Sequence, residues 1–398
     1  MSGTATGLFR QPDFVRLWSV GLMVFVVRWL ETLAIGVFVY RDTGSAFAVA
    51  MMTMLRMLPM GLFGAVIGAL AERMDRRRVL IFVVGQMMAT SATLAVLAFT
   101  GHLAIWHLAI ACFLNGLNWA TDNPIRRSMM GDIVGGERMG RAMSADVASN
   151  NSSRMLGPTV GGLLLASVGI EGAFALCALL YVFAVWSAIR VTAPLPQASA
   201  AGTSILARMA AGLAVVRRDK RLIGTLLVTV IYNVFGWPFS AMVVVIGKDS
   251  LGLGPVGIGV LSSMEGVGAF LGAMAVAVWV KPFHYRLVYV GGVVLYLFML
   301  IIVAQVPNTI VAGIALLFCG VGGAGFAIMQ NTIVYLAAPP DMRGRVLGIL
   351  SVCIGTAAIG FFILGTMAQV FGVVWACTAT GIAGLTCVAA TWKYWRTI

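Results

Sequence analysis

Charged residues are scarce in this sequence of 398 residues. Asp, Glu, Lys and Arg make up 10% of the chain, hydrophobic residues make up 60%, and the mean hydropathy is +0.98. An ordinary soluble domain carries about 25% charged residues. A folded soluble protein with so little charge could not cover its surface with polar side chains. The composition excludes that class and predicts an integral membrane protein.

Residue types that carry most enzyme and metal chemistry are also few. The three histidines, His102, His107 and His284, fall in or near predicted loops, so they cannot form an HExxH motif or a Ser/His/Asp group at one depth. The six cysteines lie in apolar runs without a CxxC pair, which favours packing over disulfides or a metal site. The phosphate-binding loop GxxxxGK[ST] is missing, which disfavours an ATP-driven pump. We therefore expect neither enzyme activity nor a metal site nor a bound cofactor.

What the sequence does contain is a series of apolar runs of about 20 residues, the length of a membrane-spanning helix. An isolated spanning segment must satisfy its own backbone hydrogen bonds, which a helix does. The sequence thus predicts an all-α integral membrane protein with twelve transmembrane helices. Numbered as spans 1 to 12, they cover residues 18–40, 47–71, 79–99, 104–125, 143–167, 173–190, 221–247, 255–280, 287–305, 308–334, 346–370 and 373–392.

The basic residues predict the orientation of the chain. If both termini are cytoplasmic, 22 of the 27 Lys and Arg residues fall on the cytoplasmic side, Arg126 and Arg127 among them, and only Arg41 and Lys248 fall outside. The net charge of +13 is then a topology signal and a source of contact with anionic lipid headgroups, not a sign of nucleic-acid binding. The N-terminus has no small-residue cleavage site, so a removable signal peptide is not expected. We expect a multi-pass protein of a bacterial-type inner membrane.

The chain divides into two related parts. A polar stretch separates six spans from six, which predicts an N-terminal half at 1–191, a cytoplasmic linker at 192–220 and a C-terminal half at 221–398. The segment GERMGRAMS (136–144) of the first half resembles PDMRGRVLG (340–348) of the second. A weak repeat on either side of a polar linker is typical of duplicated transporter folds.

The loop between spans 2 and 3, GALAERMDRRRVL (68–80), places acidic and basic residues side by side. Such a cluster can pair with another helix end in one conformation and release it in another, which would make it a cytoplasmic gate; alternatively, it only fixes the topology. The candidate gate residues are Gly68, Glu72, Arg73, Asp75, Arg76 and Arg77.

This loop resembles the signature G-x-L-a-D-R-x-G-R-R of the major facilitator superfamily. With LWSVGL, YRDTGSAFAVA, DNPIRRSMMGDIV and RMLGPTVGG, nearly the whole chain resembles the branch that contains the enterobactin exporter and related drug–proton antiporters. The resemblance implies the twelve-helix major facilitator fold, acting as a monomer by alternating access. Glu72 stands where the family has Asp, and the counterpart KPFHYR (281–286) in the second half is degraded, so any gate should be asymmetric.

Span 5 carries a second family motif. Gly157, Pro158, Gly161 and Gly162 resemble the end of the antiporter motif G-x8-G-x3-G-P-x2-G-G and imply tight helix packing. Two earlier glycines of that motif are serines here, and span 4 lacks the basic residue of the family. On one face, span 4 offers instead Asn115, Asn118 and Asp122.

Ionisable residues inside spans are rare and usually face a bundle interior or an aqueous cavity. Five of them, from four spans, fall near one depth, with Asn115, Asn118 and Asn233 close to it: Arg28, Glu31, Arg56, Arg154 and Glu265. This layer is the candidate site for substrate or proton coupling, because duplicated transporters bind substrate near the midplane. Alternatively, Arg28 and Glu31 form a private i,i+3 ion pair. Glu265 has no arginine nearby in the sequence and is the better-insulated candidate for carrying a proton.

These observations predict a secondary active transporter that exports a small amphiphilic or anionic molecule, with the proton gradient as energy source. Three arginines against two glutamates make the layer net positive, which favours an anionic or zwitterionic amphiphile over a cationic drug. Two alternatives stay open: a lysophospholipid, metal or siderophore transporter of the same fold, and a membrane sensor that does not transport.

Overall fold

The structure is a computed structural model that describes residues 8–71, 75–192, 205–339, 342–396 and 398, with side chains given outside 64–71, 136–137, 205–210 and 344. These residues are almost entirely helical, and no strand occurs among them. The N-terminal spans are formed by the helices Pro12–Thr43 (span 1), Ala46–Ala71 (span 2), Arg76–Phe99 (span 3), Ile105–Val134 (span 4) and Gly136–Ile189 (spans 5 and 6).

Spans 5 and 6 form one helical stretch that is broken at Gly169, between the two predicted runs. Gly169 has φ 70° and ψ −174°, a backbone conformation that is essentially open only to glycine. Span 1 also ends at a glycine: Gly44 has φ 62°, and its N–H donates to the carbonyl of Tyr40. These two positions require glycine because a Cβ would be strained there.

The C-terminal spans follow the helix Ile205–Arg218. Span 7 is not the uninterrupted helix that the sequence predicts, because a π-helical turn at Tyr232–Gly236 divides it close to the middle. The spans are formed by Lys220–Ile231 and Phe239–Asp249 (span 7), Pro255–Trp279 (span 8), Tyr285–Gln305 (span 9), Thr309–Ala337 (span 10), Arg343–Gly355 and Ala357–Phe371 (span 11) and Val373–Ala390 (span 12).

The helix of span 4 continues beyond the apolar run that predicted it, from residue 125 to Val134. Charged residues in this extension are paired: Arg126 with Asp122 on the same helix, and Asp132 with Arg76 at the start of span 3. Span 4 is also absent from the ten helices that, within the described residues, are long and apolar enough to cross a membrane; one of those ten, Arg138–Ile189, contains both span 5 and span 6. Twelve spans result.

The outer surface of the bundle is apolar. Trp279 and Ile310, for example, expose 72% and 73% of their surface. Large exposed apolar surfaces of this kind are costly in water but match the hydrocarbon of a bilayer. The fold is therefore that of a multi-pass membrane protein.

The two halves meet along spans 5 and 8 and along spans 2 and 11. Small residues allow close approach: a Cβ built at Gly259 would lie 2.4 Å from the carbonyl oxygen of Pro158, and one at Gly162 would lie 2.4 Å from that of Pro255. Between spans 2 and 11, Gly61 lies against Gly355. The exact limits of the halves, at 191 and 221, stay a prediction.

We name the two ends of the bundle by their residues. At the basic end, span 1 begins at Pro12 and Arg16 donates to the carbonyl of Arg190 at 2.9 Å. At the opposite end, span 1 ends and the halves are joined by two side-chain hydrogen bonds, from Tyr40 to Asp249 and from Ser45 to Gln369. Which end faces the cytoplasm stays a prediction.

Candidate functional site

A cavity of about 110 Å³ lies between the halves at the level of the charged layer. Residues from spans 1, 2, 4, 5, 7 and 8 line it, among them Arg28, Arg56, Arg154, Trp237 and Glu265. Apolar side chains cover its walls toward the opposite end, including Leu33, Ile35, Val49, Met52 and Val243. The central cavity thus combines a charged floor with apolar walls.

Glu31 is nearly fully buried and accepts hydrogen bonds from three spans. Ser91 on span 3 donates at 2.7 Å, Asn115 on span 4 donates at 3.0 Å, and Arg56 on span 2 forms an ion pair at 3.4 Å. Arg56 also donates to the backbone carbonyl of Arg28 at 3.2 Å. The alternative of a private Arg28–Glu31 pair is therefore wrong, because Glu31 pairs with an arginine of the neighbouring span.

Arg28 stacks on an aromatic ring. Its guanidinium carbon lies 3.3 Å from the centre of the Trp119 ring and 5.6 Å from that of Trp29. No carboxylate of a described residue lies within ion-pair distance of it. A stacked guanidinium keeps its in-plane N–H groups free to donate.

Arg154 and Glu265 form an ion pair of 2.6 Å that joins span 5 of one half to span 8 of the other. Tyr296 donates to the same oxygen of Glu265 at 3.3 Å. The expectation that Glu265 is insulated from arginine is therefore wrong. The pair could not be recognised from the sequence because its two residues are 111 positions apart in the chain.

The predicted polar residues of spans 4 and 7 divide among three places. Asn115 contacts Glu31, while the buried Asn118 has an amide nitrogen without a partner in the described part of the chain. Asn233 lies in the π-helical turn and donates to the carbonyl of Thr229 at 2.8 Å. Asp122 pairs with Arg126 at 3.3 Å and belongs to a separate cluster toward the basic end.

That cluster was missed by the sequence reasoning, which assigned Arg126 to the cytoplasmic side of the membrane. Arg126 is fully buried between Asp122 and Asp146, and Arg127 pairs with Asp146 at 3.2 Å. Asp122 and Arg126 stand four residues apart on one helix, a spacing that could have indicated the pair. The second carboxylate, Asp146 on span 5, is 20 residues from Arg126, and no sequence spacing indicates their contact.

The predicted gate is described in part. Gly68 lies in span 2, whereas Glu72 and Arg73 lie outside the described residues. Asp75 caps span 3 by accepting from the backbone N–H groups of Arg77 and Arg78. Arg76 pairs with Asp132 at 2.6 Å, and Arg77 donates to the carbonyl of Ile189. In this conformation these contacts hold spans 3, 4 and 6 of the N-terminal half together.

The glycine motif of span 5 lies between two neighbours. A Cβ at Gly157 would lie 2.7 Å from the Cβ of Trp29, and Gly161 faces the backbone of Leu30, so this side contacts span 1. Gly162 and Pro158 face span 8. Thr159 reinforces the second contact through its hydroxyl, 2.8 Å from that of Ser263.

The described residues contain no group of three His, Cys, Asp or Glu side chains placed as metal ligands. The two candidate features of the described residues are a charged cavity between two helical halves and paired basic residues at the start of span 3. A twelve-span bundle of this kind is the architecture of the major facilitator superfamily.

Sequence comparison identifies the family. The model of the transmembrane secretion effector family matches residues 3–395. The chain belongs to this family of major facilitator transporters, which confirms the resemblance of its motifs.

Two relatives are efflux proteins by name. Macrolide efflux protein A of Streptococcus pyogenes is 24% identical over 263 residues, which cover 66% of this chain and 65% of that protein. The match therefore spans slightly less than two thirds of that relative. Multidrug efflux pump Tap of Mycolicibacterium fortuitum is 24% identical over 370 residues, covering 88% of this chain and 86% of Tap.

The fold also matches a solved structure, a POT family transporter in complex with 5-aminolevulinic acid. The TM-score is 0.79 at 11% identity, and the match covers 96% of both chains. At this identity the likeness concerns the fold alone.

Proposed function

We propose that this protein is a secondary active transporter that exports a small amphiphilic or anionic molecule across a bacterial inner membrane by alternating access. The observation that carries the proposal is the charged cavity between the two halves of a chain from a transporter family. The names of two relatives support export as the direction. The protein acts as a monomer surrounded by lipid and uses no bound cofactor and no nucleic acid.

Alternating access requires the halves to rock about the central site. Toward the opposite end they are held together by the contacts of Tyr40 with Asp249 and of Ser45 with Gln369. Opening the cavity to that side must break these contacts. With both termini cytoplasmic, the opposite end is the outer face, and such opening would release the substrate outside.

The proton gradient supplies the energy in this proposal. The ion pair of Arg154 and Glu265 crosses from one half to the other, so rocking of the halves separates it. A carboxylate that loses its partner in a poorly solvated site is stabilised by binding a proton. Glu265 is therefore our first candidate for the proton carrier, and Glu31, which stays within one half, is the second.

The test is transport in proteoliposomes of purified protein with an imposed pH gradient. Two probes of different charge are compared, radiolabelled erythromycin and a fluorescent dodecanesulfonate. We expect at least one to accumulate above its level in protein-free liposomes under the same gradient, and this excess to collapse when a protonophore removes the gradient. Binding of a probe without any gradient-dependent movement would contradict transport and favour a sensor.

A further inference from the structure

The charges of the central layer do not balance within the protein. Glu31 pairs with Arg56 and Glu265 pairs with Arg154, so two of the three arginines are neutralised. Arg28 remains, and within the described residues no carboxylate pairs with it. An uncompensated charge in a membrane interior is costly. One further negative charge close to Arg28 would neutralise the layer.

Arg28 lies where such a charge could enter. It lines both the central cavity and a smaller side pocket of the N-terminal half, about 20 Å³ in volume. The other polar residues that line the side pocket are the paired Glu31 and Arg56, and Asn115, Trp119 and Tyr181. That volume accommodates one water molecule or one small polar group. The side chain can reach a ligand in either space.

Two buried polar atoms of residues that line the side pocket also have no partner within the described part of the chain: the indole N–H of Trp119, a donor, and the amide oxygen of Asn115, an acceptor. The buried atoms of a protein usually find hydrogen-bond partners, so the orphan N–H of Trp119 indicates a site for an acceptor such as an oxyanion, whereas the oxygen of Asn115 can bind only a donor such as water. The Trp119 ring supports Arg28 from its face, which leaves the edge of the guanidinium for a bidentate contact with an oxyanion.

We propose that Arg28 is the recognition site for a singly charged oxyanion head group of the transported amphiphile, whose apolar part lies along the central cavity. This inference rests on the proposed function and specifies its substrate class. One negative charge would neutralise the layer, whereas a cation would face Arg28 and would add to the excess. The apolar walls include Leu33, which lies more than one turn after Arg28 on span 1, and Val49 and Met52 of span 2. They extend toward the opposite end.

The test measures binding to the whole protein in a neutral detergent, using 12-NBD-dodecanoate and its methyl ester, which differ in the head-group charge. For the native protein we expect the acid to bind about tenfold more tightly than the ester, the size of one charge-assisted hydrogen-bonded contact. Arg28→Gln should abolish that ratio and leave the affinity of the ester unchanged. Arg28→Lys should retain part of it, and Arg41→Gln, at the opposite end, should retain all of it.

Equal affinity of acid and ester in the native protein would overturn the proposal, and so would a full ratio in a folded Arg28→Gln variant. If Arg28→Gln fails to fold, the native ratio and the Arg28→Lys variant still decide the question. A free inorganic anion at Arg28 is detected by repeating the measurement in sodium chloride and in sodium gluconate: tenfold weaker binding of the acid in chloride assigns the site to small ions and contradicts a head-group site. The binding experiment requires no gradient, so a preference for the acid can be observed even if no probe is transported. Conversely, erythromycin can be transported even if acid and ester bind equally.

Discussion

At the scale of single residues, the partners of Glu31 determine which substitutions the protein tolerates. Arg56→Gln leaves Glu31 buried without its ion-pair partner, at a cost of about 3–5 kcal/mol in stability. Adding Glu31→Gln to it should recover most of that loss. Adding Arg28→Gln to Glu31→Gln, in contrast, should recover little of the stability that Glu31→Gln loses, because Arg56 then remains without its ion-pair partner. Thermal unfolding in detergent gives the two coupling free energies. A larger coupling of Glu31 to Arg28 than to Arg56 would contradict the observed pairing.

The same residues show what could and could not be predicted from the sequence. The depth of each charge follows from counting along its own helix, so the layer of Arg28, Arg56, Arg154 and Glu265 could be predicted. The pairing could not, because it depends on which helices pack together, and the partner of Glu265 is 111 residues away. The burial of Arg126 could not be predicted either, because the extent of an apolar run does not reveal buried ion pairs.

At the scale of helices, the contact between spans 5 and 8 depends on glycine. Gly259→Ala would place its Cβ 2.4 Å from the carbonyl oxygen of Pro158, which forces the two helices apart. We expect a loss of about 1–3 kcal/mol, measured as a lower thermal midpoint. Gly291→Ala in span 9 is the matched control, since no atom of the described residues lies within 4 Å of a Cβ built at Gly291. Equal midpoints for the two variants would show that the helices tolerate separation.

The predicted gate involves the start of span 3, and substitutions of Asp75 separate a role in gating from a role in capping the helix. Asn caps helices as well as Asp does, whereas Ala costs about 1 kcal/mol. Asp75→Asn therefore keeps the cap of span 3 and removes the charge, while Asp75→Ala removes both. We predict slower transport for Asp75→Asn at an unchanged melting temperature. Native transport by this variant, with destabilisation of Asp75→Ala alone, would show that the residue only caps its helix.

At the scale of the whole molecule, the topology predicts which surfaces face the same compartment. His102, in the loop between spans 3 and 4, and Arg218, before span 7, are both exposed. In a variant without the six native cysteines, His102→Cys should react with an impermeant maleimide from outside the cell. Arg218→Cys should react only after the membrane is opened. Labelling of both from one side would contradict the predicted orientation.

The number of spans was predictable because each span is a long apolar run. The π-helical turn at Tyr232–Gly236 also had a local signal: Pro238 follows it directly, and a proline ring clashes with the carbonyl of the residue four positions earlier, here Val234. The division of span 11 at Thr356 has no proline beside it and could not be predicted.

We propose that the protein exchanges protons for substrate through the cavity between its halves. This exchange is measured by following the pH inside proteoliposomes with an entrapped pH-sensitive dye after a pH gradient is set and dodecanesulfonate or erythromycin is added. A sulfonate stays ionised and carries no proton itself, and protein-free liposomes correct for passive leak of erythromycin. We predict that a transported probe accelerates proton movement, and that Glu265→Gln abolishes the acceleration while still binding the probe. Transport of the probe without proton movement would contradict proton coupling.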